Sequence, residues 1–256
     1  MPPQAPRPAD GAEVTYGLRA GLALIAARPG DVLRVAYARE VRGDLDEALR
    51  TAGARHLPCA DAPPAELARL AQSQNHEGLC VLARPRRWAG PADVADLLVA
   101  RSGTAIALDR VRNPYNVGAI LRTAAFFGVD AVLLGAIAPH PALAPDAVRV
   151  AEGGAERLVL SRTTDLAETL SRLRARGVVV AGADGHADRS AIGHRFARPA
   201  VVVVGHEREG LSPRVRAQCD VIVAIPGTGA VESLNVAVAA GVLMAELLRS
   251  ASPAPP

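Results

Sequence analysis

Three short polar clusters carry the residues of this chain that could do chemistry. The first, Asn116-Val117-Gly118-Ala119-Ile120-Leu121-Arg122-Thr123-Ala124, sets an amide, a glycine and a guanidinium in the opening turns of an expected helix, directly after an apolar strand. The second is Gly205-His206-Glu207-Arg208-Glu209-Gly210, and the third is Ile225-Pro226-Gly227-Thr228-Gly229-Ala230-Val231-Glu232-Ser233-Leu234-Asn235. Each stands where a parallel strand should end, and α/β folds bind ligands at that edge of the sheet. Glycines let a ligand approach the backbone, while Glu207, Arg122 and the amides of Asn116 and Asn235 supply groups to orient it. Three clusters at one edge predict one site.

Each cluster also has a plainer reading. Asn116 can cap the free amides of its helix, leaving Arg122 as a solvated surface residue. The second cluster follows the apolar run 200–204 and could be a tight strand-to-helix turn with surface charges. It contains no GxGxxG, which argues against an ordinary dinucleotide fingerprint. In the third, Pro226 ends a strand, Gly227 and Gly229 form a mobile loop, and Ser233 is expected to cap the last helix. Asn235 then falls in the first turn among Val231, Leu234, Val236 and Val238, where a partly buried amide needs a partner. A cap accounts for Ser233 and leaves Asn235 unexplained.

The elements that must position these residues fall into two units. Residues 13–83 alternate helix (14–27, 45–52, 63–71) with strand (32–37, 78–83), the pattern of a small α/β domain. Residues 84–103 are expected to be a linker, because Arg84-Pro85-Arg86-Arg87-Trp88-Ala89-Gly90-Pro91 breaks the periodicity. The same arginines and tryptophan could instead strap an RNA backbone. Residues 104–250 then repeat a β-then-α rhythm: strands at 105–108, 131–134, 158–160, 178–180, 200–204 and 221–225, and helices at 116–127, 165–176 and 233–249. Their apolar runs are continuous rather than alternating, so the strands should be covered on both faces in a mainly parallel sheet. Residues 1–12 and 251–256 read as Pro/Ala-rich tails.

Composition narrows the class. No apolar run is long enough to cross a bilayer, and no signal pattern opens the chain, so a cytoplasmic protein without membrane contact is expected. Cys59, Cys80 and Cys219 have neither disulfide nor metal-site spacing, and no metal is expected. The histidines His56, His140, His186 and His194 also lack ligand spacing, and His206 reads as a variable loop position. All 29 basic residues are arginine, in a chain of pI near 9.1. A GC-rich genome explains that bias, though the planar arginine fork also suits phosphate.

Taken together, segments 116–124, 205–211 and 225–235 resemble, in order and spacing, the three motifs of the SpoU (TrmH-type) RNA 2′-O-methyltransferases of the SPOUT class. The resemblance covers about residues 104–249, and residues 13–83 look like that family's L30e/L7Ae-like substrate-binding domain. It implies an α/β fold with a mainly parallel sheet threaded into a C-terminal trefoil knot, an exception to unknotted chains. It also implies a homodimer acting on rRNA or tRNA, with S-adenosyl-L-methionine as cofactor. By position, Gly205, Ile225 and Leu234, with Gly210 and Gly227 of the same loops, would form the cofactor pocket. Arg122 would be catalytic from the partner subunit, with Asn116, Glu207, Ser233 and Asn235 completing the site. The acidic segment 151–156 would help shape the RNA cleft.

Three positions depart from the family pattern. His76-Glu77-Gly78 stands where relatives often carry His-Gln-Gly, Gly227 where many have Met, and Asn113 in place of Asp before Pro114. A non-catalytic RNA-binding or assembly factor on the same fold is the alternative reading. A small-molecule α/β enzyme is a third.

Overall fold

The computed structural model describes residues 11–135 and 143–249. Residues 1–10 of the tail expected at 1–12, the tail at 251–256, and His140 lie outside these residues. The described part forms two compact units, the first of which also takes in residues 143–157.

In the first unit, strand β1 (Glu13–Tyr16) precedes helix α1 (Leu18–Ala27). The sequence predicted one helix over 14–27. Val14, Thr15 and Tyr16 favour a strand instead, and Gly17 at φ +96° ends it in a conformation that a helix cannot contain. The unit continues through β2 (Val32–Tyr37), α2 (Arg42–Thr51), β3 (Cys59–Asp61), α3 (Pro64–Ala71) and β4 (Leu79–Ala83). The strands order β1-β4-β2-β3, with only the β2/β3 pair parallel. Leu24, Ile25, Val35, Leu45, Leu79 and Val81 fill its main core.

Residues 91–101, read from sequence as part of a linker, are helix α4 (Pro91–Arg101). Asp93 Oδ2 accepts from the Gly90 amide at 3.0 Å, Pro91 sits at the first helical position, and Val94, Ala95 and Leu98 are buried. An amphipathic stripe therefore overrode the Pro/Gly signal just before it. The preceding residues are internally engaged as well. Arg84 donates to the Gly30 carbonyl at 2.8 Å, Arg86 is buried, and the Arg162 guanidinium lies 4.9 Å from the Trp88 ring centre. These partners favour a structural role over an RNA strap.

The second unit continues with β5 (Thr104–Asp109), α5 (Pro114–Phe126) and β6 (Ala131–Gly135). Helix α6 (Pro145–Val150) and the 3-10 turn Gly154–Glu156 come next in sequence but belong to the first unit. There Glu156 pairs with Arg28 and Arg86, and Glu152 pairs with Arg19. Of the acidic groups expected to shape an RNA cleft, Glu156 is thus neutralised inside the fold, whereas the Glu152 pair lies at the surface.

The chain then runs through β7 (Val159–Thr163), α7 (Leu166–Ala175), β8 (Val179–Ala183), β9 (Ala200–Val204), α8 (Pro213–Arg216), β10 (Val221–Val223) and α9 (Val236–Arg249). The sheet order is β10-β8-β9-β5-β6-β7 and every pairing is parallel, as the continuous apolar runs required. From β5 the chain first builds outward through β6 and β7, then returns on the other side, so the order reverses between β5 and β9. That makes the carboxyl ends of β5 and β9 a topological switch point. No helix of the described residues is long and apolar enough to cross a membrane.

Candidate active site

Two helix starts differ from the sequence reading, and both differences build the site. Asn113, not Asn116, caps α5: its Oδ1 accepts from the Tyr115 amide at 2.9 Å, and Pro114 takes the first helical position. Asn116 is thereby released to point away from its own helix end. At the other helix, Asn235 rather than Ser233 is the cap of α9. Asn235 Oδ1 accepts from Ala237 N at 2.8 Å and from Val238 N at 3.4 Å, and its carbonyl accepts the first helical bond from Ala239. Both Ser233 and Asn235 are exposed, not partly buried. A loop of exposed residues, 226–235, precedes the helix and leaves them in solvent.

Capping sets the direction of a hydrogen-bond relay. With its oxygen committed to the α9 amides, Asn235 turns its Nδ2 outward and donates to Asn116 Oδ1 at 3.1 Å. Asn116 then donates through Nδ2 to Glu207 Oε1 at 2.8 Å. Each amide has one donor and one acceptor end, so the order α9 amide, Asn235, Asn116, Glu207 carboxylate is the self-consistent one. Three residues from three distant segments meet at the switch point.

Glu207 is held by a rigid loop after β9. A Cβ on Gly205 would come within 2.3 Å of Gly210 C and O, so only glycine fits. His206 and Gly210 exchange two backbone hydrogen bonds, at 3.1 and 2.9 Å, and Gly210 has φ +66°. His206 Nδ1 accepts from the amides of Arg208 and Glu209 at 3.3 and 3.4 Å. His206 thus caps its own loop, and it also lines the cleft beside it.

The cleft beside this loop measures about 760 Å³, within the range of small-molecule sites. Gly205, Gly210, Ile225, Gly227 and Leu234 all line it, as do Glu207 and Ser233. Ser233 makes no hydrogen bond to the relay among the described residues. Arg122 is exposed on α5, six residues beyond Asn116 and therefore about 240° further around the helix. It does not share Asn116's face.

One part of the cleft escaped the sequence reading. Asp184, Gly185 and His186, in the loop after β8, also line it. The Asp184 carboxyl is held below the usual carboxylate range by the His186 amide at 2.9 Å, and then by the Arg216 guanidinium. The signal was available: Asp-Gly follows an apolar strand at the same edge of the sheet. Elsewhere, burial pushes the Cys80 and Cys219 thiols up to about 12 and about 11, which keeps both protonated and poorly nucleophilic.

A model of the SpoU rRNA Methylase family matches residues 103–245. The chain is 36% identical over 233 residues to a Mycobacterium ulcerans (strain Agy99) protein named as an uncharacterised tRNA/rRNA methyltransferase, covering 91% of this chain and 73% of that one. A Mycobacterium avium (strain 104) protein of the same name is 37% identical over 236 residues, with the same coverage. Among solved structures, the SpoU methyltransferase AviRb from Streptomyces viridochromogenes, determined in complex with AdoMet, matches with TM-score 0.77 at 25% identity. That match covers 93% of this chain and 90% of AviRb.

Proposed function

Because the chain belongs to the SpoU rRNA methylase family, we propose that it transfers a methyl group from S-adenosyl-L-methionine to a ribose 2′-hydroxyl of structured RNA, rRNA or tRNA. The observation that carries the reading is the Glu207–Asn116–Asn235 relay at the mouth of a cleft lined by Gly205, Gly210, Ile225, Gly227 and Leu234.

These residues fit the cofactor. Gly205 leaves no room for a side chain beside Gly210, and the open glycines at 227 and 229 expose backbone groups to a ligand. When bound, S-adenosyl-L-methionine supplies an electrophilic methyl on a sulfonium. The protein's task is to orient the ribose hydroxyl and manage its proton. Holding reactants in near-attack geometry lowers the barrier by about 7 kcal/mol or more. Asn116 and Asn235 fix the Glu207 carboxylate, which orients the substrate ribose together with Ser233. Arginine stays protonated at working pH, so Arg122 acts first as a cation: it holds the phosphate next to the target ribose and stabilises the developing alkoxide. The hydroxyl proton would leave to an oxygen of that phosphate or to Arg122 in a transiently neutral form.

Because Arg122 does not share Asn116's face, we assign its catalytic contact to the second copy of a homodimer. Exposed Tyr115, Phe126 and Val238 on α5 and α9 supply apolar surface for that association. We also propose that the C-terminal part of the domain expected at residues 104–250 forms the trefoil knot of the SPOUT class, and that residues 13–83 are the L30e/L7Ae-like RNA-binding domain. The protein then acts in the cytoplasm, where rRNA and tRNA are modified. The test is cofactor binding: S-adenosyl-L-methionine at 100 times its dissociation constant should stabilise the fold by about 2.7 kcal/mol, with no effect from NAD. Stabilisation by NAD alone would favour a small-molecule enzyme.

A further inference from the structure

Asp109 and Arg110, at the end of β5, lie outside every motif residue considered above, yet both reach the loop that carries Glu207. Asp109, only 4% exposed, accepts from the Ser212 amide through Oδ2 at 2.6 Å. Arg110 donates through Nη2 to the Gly210 carbonyl at 3.0 Å and pairs through Nη1 with Glu209. Its Nε lies 3.6 Å from Asp109 Oδ1. Two adjacent residues of one strand end therefore grip residues 209–212 from below, at both the backbone and a side chain.

The backbone at this point is unusual. Arg110 has φ +63°, in the left-handed region that a side chain adopts only against strain. Glycine would take that conformation freely. A strained arginine in place of glycine is maintained when its side chain does something that glycine cannot. Here that something is the clasp on the Gly205–Gly210 loop, whose own packing leaves no slack: Gly205 is already in contact distance of Gly210.

We propose that Arg110, braced by Asp109, is a positioning residue that presets the cofactor-side loop 205–210, so that binding does not have to order it. Preorganisation of this kind appears in affinity, because the cost of ordering the loop is met before the ligand arrives. The inference rests on the reading of the cleft as an S-adenosyl-L-methionine site.

Arg110→Gly separates this role from a merely structural one, since the two predict opposite signs. Removing strain should leave the unliganded melting temperature unchanged or higher. Losing the clasp should weaken S-adenosyl-L-methionine binding about tenfold in a calorimetric titration, the effect of about one charge-assisted hydrogen bond. The apparent KM for the cofactor should rise with it, while kcat at saturation stays within about twofold. Arg110→Lys, which keeps the charge but not the fork, should recover part of the affinity. Amide hydrogen exchange at residues 206–211 should accelerate in Arg110→Gly whether or not cofactor is present. Wild-type affinity and wild-type exchange in Arg110→Gly would overturn the proposal, and so would a collapse of its melting temperature. If wild-type protein binds no S-adenosyl-L-methionine, the cofactor reading fails instead, and the exchange rates still decide whether the clasp exists.

Discussion

Two polar assemblies in this molecule use the same kinds of side chain for opposite ends. In the first unit, Glu13, Arg28, Arg86 and Glu156 form a closed ring: Arg28 and Arg86 bind Glu156 at 2.9 and 3.2 Å and Glu13 at 3.7 and 3.4 Å. Two positive and two negative charges, with side chains 4–17% exposed, neutralise one another away from water. In the second unit, the Glu207–Asn116–Asn235 relay is mostly neutral, lies at an open edge, and leaves one carboxylate oxygen without a protein donor among the described residues. A buried ring of mutually paired charges offers no open edge to a substrate. A half-satisfied chain at a strand edge does. The contrast is between charge paired inside the fold and polar groups left open at a strand edge.

Breaking each assembly should produce different losses. The largest belongs to the edge: Arg122→Ala should reduce methyl transfer by about 10²–10⁴-fold, the scale of lost transition-state stabilisation. Arg122→Lys should not restore it, and cofactor affinity and melting temperature should both stay at wild-type values. Radiolabel transfer beside a thermal melt reads all of these. Glu156→Ala comes next and should behave in the reverse way. It strands two buried guanidinium groups and should cost about 3 kcal/mol, seen as a lower denaturant midpoint, while transfer at low temperature persists. If Glu156→Ala instead abolished transfer in a folded protein, the division between the assemblies would be wrong.

Smaller effects sharpen the comparison within the cleft. Gly205→Ala drives a methyl into Gly210 and should weaken S-adenosyl-L-methionine binding by about tenfold or more, since the loop must shift. Asn116→Ala removes one side-chain bond to Glu207 but leaves the His206–Gly210 backbone bonds of its loop in place, and should lower kcat by about tenfold with little change in cofactor affinity. The smallest effect is on acid stability. The Asp184 carboxyl is depressed in the fold by the His186 amide and then Arg216, so its stabilisation is present above the unfolded carboxylate pKa. That contribution fades as pH falls through the folded value. Asp184→Asn should therefore narrow the stability gap between pH 7 and pH 3, measured by urea midpoints. An unchanged gap would remove Asp184 from the account of the cleft's electrostatics.

How much of this was legible in the sequence depended on whether the cause was local. The parallel sheet was readable because buried strands have continuous apolar runs. The three clusters were readable because glycines and polar residues followed those runs. Helix starts were less so: Asn113 and Asn116 are both good caps by type, and only the bond to Tyr115 N decides between them. Strand β1 was hidden because its pairing with β4 spans more than sixty residues of sequence. Helix α6 joined the first unit through contacts such as Tyr16 with Asp146 and Arg149 with Glu77, none of which has a local signature. Glu77, the departure from His-Gln-Gly, now has a structural explanation: its other oxygen accepts from the Leu18 amide at the start of α1. Arg110 was invisible for a similar reason, since nothing in its neighbours announces a positive φ.

The central claim is that the edge relay and Arg122 serve methyl transfer to a ribose hydroxyl. The most direct test is to incubate the protein with methyl-labelled S-adenosyl-L-methionine and ribosomal or transfer RNA, then digest the RNA in alkali. A 2′-O-methyl group blocks cleavage at its own linkage, so the account predicts label in alkali-resistant dinucleotides, absent with Arg122→Ala. Label recovered in mononucleotides, on the bases, would contradict it.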